Sequence, residues 1–76
     1  MNKARRKELD RIHSAILELY ESLENVMSEE EEARDNIPES LQESERYEAM
    51  EEAISNMEYA VDSLQEAMEY VESAME

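Results

Sequence analysis

The 76 residues include no glycine, no cysteine and one proline, and 22 acidic side chains stand against seven basic ones for a formal charge of −15. Disulfides and thiolate metal sites are excluded, and no apolar run approaches the roughly 18 residues of a membrane span. Such a surface repels nucleic acid and anionic membranes and attracts basic proteins.

The charge is unevenly placed. Residues 1–12 carry five Lys or Arg against Glu8 and Asp10, a balance of +3, and the remainder carries −18. The start Lys3-Ala4-Arg5-Arg6-Lys7 has the charge of a signal n-region, but acids follow at once and no apolar segment does. The expectation is a cytoplasmic protein.

A glycine-free chain rich in Ala, Glu, Leu and Met favours helix. In the first half, Leu9, Ile16 and Leu23 form one apolar column and Ile12, Leu19, Val26 and Ala33 a second, with Glu30 the polar intruder. This pattern predicts a helix over about 3–34, with His13, Leu17, Tyr20 and Met27 flanking its seam. The segment Asp35-Asn36-Ile37-Pro38-Glu39-Ser40 then interrupts it, because proline cannot continue a helix and forces the residue before it towards an extended form. A loop over about 35–43 is expected, with a short turn at 38–42 and with Ile37 and Leu41 folding back on the seam. Ser40-x-x-Glu43 fits a capping box and Ser44 offers the main start of the next helix.

From Tyr47 the chain reads in sevens as YEAMEEA, ISNMEYA, VDSLQEA, MEYVESA. Tyr47, Ile54, Val61, Met68 and Met75 alternate by three and four with Met50, Met57, Leu64 and Val71, the seam of a helix packed lengthwise on another. A second helix over about 44–75 follows. Two matched helices with a short link predict an all-α fold, an antiparallel two-helix coiled-coil hairpin. The expected register sets Leu9 level with Val71, Ile12 with Met68, Ile16 with Leu64, Leu19 with Val61, Leu23 with Met57 and Val26 with Ile54. It also sets Arg5, Arg6, Lys7 and Arg11 alongside Glu69, Glu72 and Glu76, so that each end offsets the other's unfavourable helix dipole. Beside the seam, Ala53, Ala60, Ala67 and Ala74 form a strip of small side chains, with Ala15 and Ser22 on the matching flank of the first helix. These six are the expected dimer face, through which the hairpin pairs into a four-helix bundle.

Catalytic equipment is sparse, and the chain reads as no enzyme with no cofactor. His13 is the one base near neutral pH and reads as a boundary residue paired with Asp10. Asp10-x-x-His13 has the spacing of half a dimetal site, but the seam at that level is apolar. Glu48/Glu51 and Glu69/Glu72 have the spacing of magnesium sites in helical nucleotide hydrolases, a remote alternative, and they point outward. No metal ligand is assigned.

The acidic loop end carries more. Glu29, Glu31, Glu32, Asp35, Glu39 and Glu43 form an expected partner-binding surface, with Tyr59 and Tyr70 as exposed aromatic contacts. Helical carboxylates at i, i+3 and i+4 lie about 5–6 Å apart, close to the spacing of phosphates along a strand. An acidic rod can therefore occupy the groove of a basic, nucleic-acid-binding protein without itself binding nucleic acid. The alternative is a structural, self-associating module whose charge secures solubility.

Asp35-Asn36-Ile37-Pro38-Glu39-Ser40-Leu41-Gln42, Ser44-Glu45-Arg46-Tyr47-Glu48 and the Glu/Ala heptads together resemble a group of small acidic helical proteins encoded by Firmicutes, their prophages and mobile elements. The resemblance implies a phage-associated setting, hence an anti-defence or regulatory role, and supplies no site residues.

Overall fold

A computed structural model describes all residues, 1–76, as two long helices joined by a single 3-10 turn: α1 (Lys3–Asp35), the turn Glu39–Leu41, and α2 (Glu45–Met75). The chain is all-α, and the two helices pack on each other as an antiparallel hairpin. Its Cα atoms span 59 × 14 × 13 Å with a radius of gyration of 17.4 Å, against about 11 Å for a globular chain of this length. The molecule is a rod.

Each boundary has a local cause. Asn2 caps α1, its Oδ1 accepting from the Arg5 N–H at 2.8 Å. At the other end the Asn36 N–H donates to the Glu32 carbonyl and the Ile37 N–H to the Arg34 carbonyl, both at 3.1 Å. Pro38 sits extended at ψ 144° and opens the 3-10 turn, in which the Leu41 N–H donates to its carbonyl at 2.8 Å. Ser44 is the cap of α2, with Oγ accepting from the Tyr47 N–H at 3.2 Å. The capping box at Ser40–Glu43 is not used, because Ser40 lies inside the 3-10 turn. Ile37 is half-buried at the end of the seam, whereas Leu41 stays 54% exposed and plugs nothing.

The seam of α2 is as the heptads place it. Ile54, Val61 and Met68 are the three buried residues, and Tyr47, Met50, Met57, Leu64, Val71 and Met75 are half-buried. The seam of α1 is not. Leu9, Ile16, Leu23 and Glu30 are half-buried, but their companions are His13, Tyr20, Met27 and Arg34. Leu19 is 60% and Val26 52% exposed, and Ala33 is exposed; of the expected second column, Ile12 alone is half-buried. The helix is rotated so that the column one position later faces α2.

Two cross-helix contacts fix the register. His13 Nε2 lies 2.8 Å from Glu72 Oε1, and an Arg34 guanidinium nitrogen lies 3.9 Å from Glu51 Oε1. With these pairs as neighbours, the seam sets Leu9 level with Met75, Ile16 with Met68, Tyr20 with Leu64, Leu23 with Val61 and Glu30 with Ile54. That is one helical turn away from the expected pairing. His13 therefore turns to Glu72 across the helices and not to Asp10.

Rotation and offset share a physical reason. The three polar members of the chosen column are long side chains that bury an apolar body and keep a polar tip at the rim. There the His13 and Arg34 tips meet carboxylates of α2 that otherwise have no cation.

Candidate interaction surfaces

The register divides the hairpin into two unlike sides. Where His13, Tyr20 and Arg34 meet α2, the rim is acidic: Glu24 and Glu31 on α1, with Glu51, Glu58, Asp62, Glu69 and Glu72 on α2. In an antiparallel coiled coil the two flanks next to the seam lie on opposite sides of the pair. The other side is therefore built from Ile12, Leu19 and Val26 of α1 and Ala53, Ala60, Ala67 and Ala74 of α2. The next column out holds Ala15 and Ser22 on α1 and Ala49, Asn56, Ser63 and Tyr70 on α2. None of these positions is charged, in a chain whose residues are 38% charged.

The expected dimer face lies on this uncharged side. Ala53, Ala60, Ala74 and Ser22 are exposed, and Ala15 and Ala67 are half-buried. Sequence reasoning left out Ile12, Leu19 and Val26, which it assigned to the seam. The uncharged spacing of Ala15 and Ser22 was the available signal, since a solvated flank in so acidic a chain would carry glutamate there.

On the acidic side the neighbouring charges act on two phenols. Burial first, then the Glu24 and Asp62 carboxylates, pushes the Tyr20 hydroxyl above its ordinary range. The Glu51 carboxylate, as hydrogen-bond acceptor, is the largest cause of the same shift at Tyr47, followed by burial. Tyr59 and Tyr70, the expected aromatic contacts, are 72% and 69% exposed. Tyr70 lines an open depression on α2 with Asp62, Gln65, Glu66, Glu69 and Ser73.

At the loop end Glu29, Glu32, Asp35, Glu39 and Glu43 are exposed and Glu31 is half-buried. Four consecutive glutamates wrap most of the way around α1, so they do not form one face; Glu30 points to the seam. Glu31 and Asp35 share a stripe, as do Glu32 and Asp35. Asp35 alone of the six predicted acids is paired, its Oδ1 lying 3.2 Å from Arg34 Nε, and this hydrogen bond is the main cause that raises the Arg34 pKa.

The opposite end is basic and its charges are mostly free. Arg11 pairs within α1, Nε donating to Glu8 Oε1 at 3.0 Å, which holds the Glu8 carboxyl below its ordinary value. No carboxylate lies within 4.0 Å of Lys3, Arg5, Arg6 or Lys7. The expected alignment of these residues with Glu69 and Glu76 does not form ion pairs. Level with Leu9, Met75 ends α2, so the basic first turn of α1 projects past it; Lys3, Arg6, Lys7, Asp10 and Met75 line an open depression there.

No three or more His, Asp or Glu side chains are arranged to hold a metal ion. Glu72 and Glu51, one from each magnesium-like pair, are instead turned to His13 and Arg34. No helix is long and apolar enough to cross a membrane. Comparison with protein-family models, curated proteins and solved structures finds no match to this chain.

Proposed function

We propose that this chain is a non-enzymatic, acidic protein-binding module that inhibits a basic, nucleic-acid-binding protein by offering carboxylates where that protein expects phosphates. The observation that carries the reading is the loop end, where Glu29, Glu31, Glu32, Glu39 and Glu43 have no cation within 4.0 Å and ride on a rod 59 Å long. Within α1, Glu32 stands one turn from Glu29 and from Asp35, a helical spacing of about 5–6 Å that resembles a phosphate strand, and Tyr59 adds exposed aromatic surface. An anti-defence or regulatory role fits such an inhibitor, with a nuclease as the kind of target that presents a long basic groove.

The test is capture of basic proteins from the native host, followed by competition with DNA or RNA. Binding that weakens steeply with salt and is displaced by nucleic acid supports the reading. Binding indifferent to both contradicts it, and leaves a structural module whose charge serves solubility.

A further inference from the structure

We propose that the uncharged side of the hairpin is the contact surface for a second copy of this chain, packed head to tail, with the loop end of one copy against the chain termini of the other. The proposal does not rest on the inhibitory reading.

The first ground is what the rotation of α1 exposes. Leu19 and Val26 stand 60% and 52% in solvent although burying them is favourable, and they lie beside an alanine strip that continues the same surface on α2. From Ala53 to Ala74 the strip runs about 30 Å at ~1.5 Å per residue, and the hairpin is 14 Å wide. Two copies pressed together on it bury on the order of 1,000 Å² in total, at the low end for a specific interface. Only three residues of one hairpin are buried, so the second copy also completes the core as a four-helix bundle.

Charge selects the occupant. A basic partner is drawn to the acidic side, because the uncharged strip offers it no carboxylate to pair with. A second copy offers an equally neutral strip and keeps its carboxylates outward. Charge also selects the orientation. Arg5 continues the Ile12–Leu19–Val26 column beyond the strip at the termini end, and Glu29 continues the Ala15–Ser22 column at the loop end. Neither has an ion partner within the hairpin. Head-to-tail packing brings the basic end of each copy, with Arg5, towards the acidic loop end of the other. Packing loop to loop would instead stack both acidic ends and both basic ends.

Head-to-tail symmetry lays α1 antiparallel on α1 of the second copy, with Leu19 close to the two-fold axis and Ala60 facing Ala67 of the second copy. Closed two-fold pairing of this kind uses one patch on both copies.

Sedimentation equilibrium of the full chain is expected to give twice the 8.9 kDa monomer mass, with a melting temperature that rises with concentration. A monomer at every concentration, with a fixed melting temperature, overturns the proposal. Ala60→Glu, at a position exposed in the single hairpin, should weaken dimerisation at least tenfold, whereas Ser55→Glu on the acidic side should leave it unchanged. Equal effects at both would mean that another face is used. The chain has no cysteine, so mild oxidation of a single-cysteine variant reports orientation directly. Leu19→Cys should form a disulfide-linked dimer and Val26→Cys should not; a dimer in which Leu19→Cys fails to cross-link is not head to tail.

Discussion

His13 and Glu72, 59 residues apart in sequence, meet across the helices with Nε2 2.8 Å from Oε1. The contact marks the rotation of α1 and the offset of α2 together, and with them which side of the rod is acidic and which is uncharged along its middle. It is partly solvent-exposed, with the imidazole 21% and the carboxylate 59% accessible. Such a pair specifies a register more than it stabilises one, at about 0.2–1 kcal/mol.

The register is testable by cross-linking within one chain. Ile16→Cys combined with Met68→Cys should oxidise readily to an intramolecular disulfide. Ile16→Cys with Leu64→Cys, one turn away, should not. Reversal of that preference would restore the apolar column Ile12, Leu19, Val26 to the seam.

Stability should follow the same division. Ile54→Ala, at a site 5% exposed, is expected to cost about 2–4 kcal/mol in denaturant unfolding. Glu30 stands half-buried in the seam, level with Ile54, without a cation within 4.0 Å. Glu30→Leu should therefore stabilise the hairpin by about 1 kcal/mol. A loss of stability in this variant would contradict the placement of Glu30.

The phenols predict behaviour in alkali. The Tyr20 and Tyr47 hydroxyls are raised above their ordinary range, by burial at the first and by Glu51 at the second. A raised folded pKa means stability that is complete below the unfolded tyrosine value of about 10 and is lost as pH rises through the folded value. Phenolate absorbance should show a late-titrating fraction that Tyr20→Phe and Tyr47→Phe remove. Titration curves unchanged by both substitutions would mean that neither phenol is shifted by burial and its neighbouring carboxylates.

Much of the fold was legible because helix signals here are local. Glycine is absent, Pro38 punctuates the chain, Ser44 caps where a cap was expected, and the α2 heptads run without a miss. The rotation of α1 was not legible, because Leu9, Ile16 and Leu23 can pair with the column three residues on or the column four residues on. Counting apolar residues favours Ile12, Leu19 and Val26 over His13, Tyr20 and Met27. The structure chooses the latter: His13 and Arg34 reach carboxylates on α2, and Tyr20 and Met27 are half-buried where Leu19 and Val26 stay exposed. A pairwise, long-range preference of that kind leaves no trace in periodicity. The acidic surface was legible in composition, but its grouping was not: a run of four glutamates is continuous in sequence and divided around a helix.

In the proposed function, protein recognition falls to the carboxylates of the loop end. It is tested most directly by the salt dependence of binding to the captured partner, with the intact chain compared with a variant carrying Glu31→Lys, Glu32→Lys and Glu39→Lys. These positions lie off the uncharged side, so the sedimentation mass serves as an internal control and should not change. The predicted result is a steep fall of log affinity with log salt for the intact chain, and for the variant a loss of at least a hundredfold in affinity with a shallower slope. Equal affinity and equal slope for the two proteins would contradict it.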